Sequence, residues 1–273
     1  MFLSRVCLLL LFLCQGSVAA EELRYPMAER IGLWPGRDLH PDPRHHMKRK
    51  NDITRIHRET RPSLEFYPSE NATPDAPTVI IFPGGGYSTL AYDLEGTEIA
   101  KWLNTAGFHA LILRYSVPSR SSAPHYDAQR AIRLVKYHAP RWNLDYRKIG
   151  VMGFSAGGHL AAYASNNWQQ AYYEPVDEVD ELSSRPDFTV LVYPAYLSPR
   201  SEVLLREDLE VSAKTPPAFI VHTRDDTKYL NSSTAYVRAL KEAGVPVGGR
   251  QETMVCQTPS PEPSSEVPQV LSV

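Results

Sequence analysis

Cysteine is scarce in this chain, with three in 273 residues, and Cys7 and Cys14 both precede Ala20. If that leader is removed, Cys256 is left alone, and a lone thiol closes no internal bridge. The apolar run from Val6 to Leu13 is too short to cross a bilayer, which takes about 20 residues. An excess of charge is lacking too: 29 Lys and Arg face 31 Asp and Glu, a net charge of −2. Such a balance argues against nucleic acid and against strongly acidic partners. His40, His45 and His46 lie close together, but no cysteine or carboxylate joins them at a metal-binding spacing, so a solvated loop is the simpler reading and no metal site is expected. One further absence matters most: no histidine follows His222.

What is present begins with a basic start at Arg5, an apolar stretch, and small residues at Ser17-Val-Ala-Ala20 before Glu21-Glu22. This is the pattern of a secretory signal peptide over residues 1–20, cleaved near Ala20. It implies a secreted or periplasmic protein with no membrane attachment after cleavage. Residues 21–63 are polar and are expected to be irregular. A segment of this size beyond them fits one α/β domain, expected over 64–247.

That domain is organised around Gly150-Val-Met-Gly-Phe-Ser-Ala-Gly-Gly-His159, in which Gly153, Ser155 and Gly157 stand in G-x-S-x-G spacing. An apolar strand precedes the serine and a small-residue helix follows, so Ser155 falls on a sharp strand-to-helix turn, a nucleophile elbow. A Cβ two residues to either side is expected to collide with the neighbouring chain. Without that context the motif would be only a glycine-rich turn carrying an idle serine.

Other elements follow from pattern. Leu64–Tyr67, Thr78–Phe82, His109–Tyr115, Phe188–Tyr193 and Ala218–His222 read as strands, several of them apolar enough to be buried on both faces. Helices are expected over Glu95–Ala106, from Pro124 with Ala128, Ala131, Ile132 and Val135 on one face, and over Ser232–Ala243. Asp127 and Arg130 are expected to pair with each other. The alternation predicts a mostly parallel sheet with helices on both faces. Pro83-Gly-Gly-Gly-Tyr87 ends the second of these strands, where bare amides can point at a ligand. Asn166–Asp187 is long, acidic and aromatic, and reads equally as a cap over the site or a surface excursion.

Together, Pro83-Gly-Gly-Gly-Tyr87, Gly153-Phe-Ser-Ala-Gly-Gly-His-Leu160 and His222-Thr-Arg-Asp-Asp226 resemble the α/β-hydrolase family, in particular its secreted carbohydrate-esterase branch related to acetylxylan and feruloyl esterases. The resemblance implies that Ser155 attacks an ester carbonyl and that the amides of Ala156, Gly85 and Gly86 hold the oxyanion. It also implies that Asp226 rather than Asp225 is the triad acid, with helix capping as the alternative role for an aspartate there. The substrate would be a small or polysaccharide ester, and such chemistry needs no cofactor.

The family's triad histidine follows one more strand, in a Gly-His-like context. Here the chain instead runs Gly248-Gly-Arg-Gln-Glu-Thr-Met-Val-Cys256 and turns Pro/Ser/Glu-rich, so residues 248–273 are expected to be a disordered, unrelated tail. A truncation or frameshift is therefore expected to have removed the last strand, the histidine loop and the final helix, leaving an unpaired sheet edge. His159 and His222 are expected to pack rather than serve as the base. The reading is an impaired serine esterase; the alternative is a non-catalytic carbohydrate-binding protein that keeps the pocket.

Overall fold

The computed structural model describes residues 27–252 except 42, 43 and 45. The expected signal peptide over 1–20 and the expected tail beyond Glu252 lie outside the described residues. In chain order, β1 (Glu29–Gly32), β2 (Met47–Lys50), β3 (Ile53–Ile56) and β4 (Ser63–Tyr67) lead into β5 (Thr78–Phe82) and β6 (Leu90–Ala91). After a short π-helix, Asp93–Thr97, come α1 (Glu98–Thr105), β7 (His109–Arg114), α2 (Ala123–His138), β8 (Ile149–Phe154) and α3 (Ala156–Asn166). A 3-10 turn, Glu178–Glu181, precedes β9 (Thr189–Val192), β10 (Ala218–Thr223), α4 (Leu230–Glu242) and β11 (Val247–Glu252).

The main sheet has the order β1-β4-β7-β5-β8-β9-β10-β11. It is antiparallel through β1, β4 and β7, and parallel from β7 onward. The connection from β5 leads to β7 on one side, and the next returns across β5 to β8 on the other. The carboxyl ends of β5 and β8 therefore flank a switch in strand order, where open α/β sheets bind ligands.

Alternation within the central strands builds two cores. Ile80, Phe82, Leu111, Leu113 and Val151 face α2, α3 and α4, whereas Val79, Ile81, Ala110, Ile112 and Met152 face α1. Full burial of each of these side chains other than Ala110 is worth about 1.5–3 kcal/mol. Both faces being covered explains why these strands read as unbroken apolar runs.

Three expectations need correction. Residues 21–63 are not irregular throughout: β1 pairs with β4, and β2, β3 and β6 form a second, antiparallel sheet. The last strand is not missing, because β11 pairs in parallel with β10 from Ala218↔Val247 to Thr223↔Glu252. It covers the edge of β10 and carries order past the boundary at Val247. The ladder is made by backbone groups, so a sequence poor in apolar side chains can still supply it. Finally, Asp127 and Arg130 do not pair. Asp127 accepts from Trp34 Nε1 at 2.8 Å and from the Ser116 amide at 2.9 Å. Arg130 instead clamps Asp177 through both terminal nitrogens at 2.6 and 2.5 Å and also reaches Asp180 at 3.0 Å.

That clamp pins the acidic segment after α3 onto α2, with Arg133 donating to Leu182 O and Lys136 to Arg185 O. A second ionic group joins the antiparallel strands: Arg114, 2% exposed, meets Glu59 at 2.8 Å and Glu65 at 3.1 Å. Arg30 lies 3.7 Å from Glu65. Removing one partner leaves buried charge uncompensated. Arg114→Met should cost about 3–5 kcal/mol, read as a lower urea midpoint at an unchanged m-value. A loss under 1 kcal/mol would show that the carboxylates find other partners.

Candidate active site

Ser155 stands alone between β8 and α3 with φ 51° and ψ −115°. A non-glycine residue held there costs about 1–3 kcal/mol. Three backbone bonds sustain it. Its amide donates to Val192 O at 3.1 Å, and its carbonyl accepts from His159 N at 3.1 Å and Ala195 N at 3.0 Å. The flanking glycines leave no room for a side chain. A Cβ on Gly153 would stand 2.1 Å from Gly157 O, and one on Gly157 would stand 2.0 Å from Phe82 O. Ser155 is partly exposed, and its Oγ forms no hydrogen bond with any described residue.

The loop after β5 lies against this turn, since a Cβ on Gly84 would be 3.0 Å from Ser155 Cβ. The amide of Gly84 donates to Glu95 Oε2 at 2.6 Å, and Tyr115 OH donates to Pro83 O at 2.6 Å. The amides of Gly85, Gly86 and Ala156 donate to no described residue. Two come from the glycine loop and one from the first turn of α3, whose N-terminal dipole favours negative charge. Such an arrangement can hold an oxyanion.

Glu95 is the residue that sequence reasoning missed. It passes for an ordinary acid at a helix start, yet its other oxygen accepts from Tyr193 OH at 2.6 Å. It therefore joins the glycine loop to the loop after β9. Burial raises the Glu95 carboxyl above its usual range, against the opposing pull of those two donors.

Asp226 lies where the sequence placed it, just past β10. Its Oδ1 accepts the amides of Lys228 at 2.9 Å and Tyr229 at 3.0 Å, and its Oδ2 meets His222 Nε2 at 3.0 Å. Partial burial pushes its pKa up, but the bonds from His222 and the two amides bring it below the ordinary range. The buried His222 uses its other nitrogen on Ser233 Oγ at 2.7 Å, so neither ring nitrogen is free. His159 shares a 2.7 Å hydrogen bond between Nδ1 and Tyr87 OH. Burial, with the charges of His125 and Arg206, takes its pKa down to about 3, so it stays neutral at ordinary pH. Among the described residues no histidine bonds Ser155 Oγ.

Tyrosines line the glycine-loop side. Tyr87 and Tyr196 stack at 6.5 Å, and Tyr229 meets Tyr196 edge-on at 5.5 Å. Tyr87, Tyr193 and Tyr196 all hold positive φ, at 59°, 38° and 61°.

The family model described as BD-FAE matches residues 64–192. Among solved structures, the acetyl ester-xyloside bifunctional hydrolase from Caldicellulosiruptor lactoaceticus is 32% identical, with a TM-score of 0.68 over 85% of this chain and 88% of that one. The acetylxylan esterase of Xylanibacter ruminicola is 28% identical over 201 residues, 63% of this chain. The endo-1,4-beta-xylanase B of Butyrivibrio fibrisolvens is 29% identical over 192 residues, 62% of this chain. The matches span only 38% and 30% of the lengths of these two curated relatives.

The raised pKa of Glu95 has a definite sign. The native state keeps a proton that the unfolded state releases near pH 4.5, so this group makes stability fall as pH rises from there through the folded pKa. Glu95→Gln, which can still accept from Gly84, should flatten that dependence. Glu95→Ala should cost about 1–3 kcal/mol by orphaning a buried amide. Urea unfolding between pH 4.5 and 8 reads both, and an unaltered pH slope in the Gln variant would contradict the assignment.

Proposed function

Because the chain belongs to the esterase-like α/β-hydrolase family, an ester hydrolase family, we propose that it is a secreted carbohydrate esterase with an acyl-enzyme mechanism and an impaired base. Ser155 Oγ is the nucleophile. The amides of Gly85, Gly86 and Ala156 hold the tetrahedral oxyanion, each such donor being worth ~3 kcal/mol where measured in other enzymes. Asp226 holds the position of the triad acid. The substrate is an acyl group, acetyl or aromatic, on a plant polysaccharide or a small ester. No cofactor enters, because attack, collapse and deacylation need only side chains and water.

The observation that carries this reading is the strained Ser155, its hydroxyl unbonded, set beside three amides without acceptors. The impairment follows from the other half of the site. Among the described residues Asp226 engages only His222 and two amides, and no imidazole meets the serine. Losing the triad histidine in a comparable enzyme costs ~10⁶ in turnover and leaves ~10³ over the uncatalysed rate. That same vacancy, with the tyrosines beside it, favours a second reading: a carbohydrate-binding protein that no longer turns over. It would bind xylan equally well with and without Ser155.

p-Nitrophenyl acetate hydrolysis is expected far below ~1 s⁻¹, an ordinary enzyme rate. It should fall further in Ser155→Ala and rise with added imidazole in the parent chain only. Serine-dependent turnover above ~1 s⁻¹ without imidazole would refute the missing base; turnover indifferent to Ser155 would refute the nucleophile.

A further inference from the structure

We propose that the rim of the site holds a subsite for the carboxylate of an acidic sugar, formed by Tyr196, Tyr229, Arg200 and Lys228. The proposal rests on the carbohydrate-ester reading and deepens it by naming the class of sugar. Tyr196 follows Ala195, whose amide is bonded to the Ser155 carbonyl, so its ring is anchored to the elbow. Its hydroxyl stands 3.6 Å from where a Cβ on Gly86 would lie, beside the expected oxyanion amides. Its backbone is strained at φ 61°, an uncommon state for a bulky side chain and one that clusters at ligand-binding positions.

One ring further out, Tyr229 gathers two cations. The Arg200 guanidinium carbon lies 5.6 Å from its ring centroid and Lys228 Nζ lies 4.9 Å away. Neither forms an ion pair with a carboxylate among the described residues. By contrast Arg206, on the same loop as Arg200, holds Asp208 at 2.6 Å. Asp226 offsets part of this positive charge, but its oxygens are bonded to the backbone amide of Lys228 and to His222 rather than to Lys228 Nζ. Partial burial pushes the Tyr229 phenol up, but bonds with Tyr196, Lys228 and Arg200 bring it below its usual range, in keeping with local positive potential.

Two phenols and two cations thus converge, and among the described residues neither cation is ion-paired with Asp226, the carboxylate bonded to the backbone of Lys228 and Tyr229. Tyrosine faces accept the apolar face of a pyranose while their hydroxyls stay wet, and the cations complement a carboxylate through charge-assisted bonds. A uronate, or a glycan bearing one, supplies both at once, whereas a neutral xyloside supplies only the ring.

The test compares phenyl β-D-glucuronide with phenyl β-D-glucoside on the full chain, by calorimetry or ligand-observed NMR, and so needs no turnover. The glucuronide should bind about five-fold tighter, on the scale of two exposed ion pairs, and the preference should shrink in 0.5 M salt. It should vanish in Arg200→Gln/Lys228→Gln and persist in Lys101→Gln, which removes one charge from the exposed side of α1. Equal Kd values in the parent chain, absent binding of both, or a preference surviving the double variant would overturn the proposal. Failure of the esterase reading would appear elsewhere, as hydrolysis indifferent to Ser155.

Discussion

Three chain segments meet at the serine with no space for a side chain between them. The end of β5, the turn after β8 and the loop after β9 touch through backbone atoms, and the 2.0 Å that would separate a Gly157 Cβ from Phe82 O measures how tightly. Because Gly84 is pressed on the same turn, the position of the expected oxyanion amides and the direction of Ser155 form a single constraint. Neither can shift without the other. The strain at Ser155, about 1–3 kcal/mol, is of the same order as the three backbone bonds that hold it, at about 1 kcal/mol each. The rigidity of the parallel sheet beneath makes that balance hold.

Strain recurs around this point in an orderly way. Tyr87, Tyr193 and Tyr196 hold positive φ, and each follows the carboxyl end of β5 or β9. The rings do not share one surface: Tyr87 packs against the core that faces α2 and α3, and Tyr193 against the core that faces α1. Each is secured by a polar bond or a ring contact: Tyr87 to His159, Tyr193 to Glu95, Tyr196 against Tyr87. The neutral His159 suits this role, since a proton there would have to be buried beside Arg206.

Which of these features were legible in the sequence depends on the range of the physics. β5, β8 and β10 announced themselves because burial on both faces leaves only apolar residues, and the glycines around Ser155 because local sterics allow nothing else. Of β11 only the start was legible, at Val245-Pro-Val247, since Gly248-Gly249 offers no side-chain signal and the rest of the strand is defined by its backbone partner. β2 and β3 were hidden for a related reason: Lys48, Arg49 and Lys50 face water, and the pairing itself leaves no compositional mark. Distant ion pairs were beyond reach. Asp127 is the near neighbour of Arg130 in sequence, but Asp177, 47 residues on, is the neighbour in space. Glu95 hid in the same way, its partner Tyr193 being 98 residues away.

Asp226 shows how folding by itself can hold a motif residue in place. A carboxylate in a triad has four lone-pair directions, and only one is needed to orient the catalytic imidazole. Here two amides at the start of α4 and the ring of His222 occupy the rest of its capacity. These bonds fix the entry of α4 and close a chain from Asp226 through His222 to Ser233. Removing the carboxylate would orphan His222 Nε2 inside the protein, at the cost of an unsatisfied buried polar group. The aspartate is therefore held in place by folding alone, whether or not an imidazole ever faces Ser155. On the serine side nothing comparable constrains the hydroxyl, which bonds no described residue.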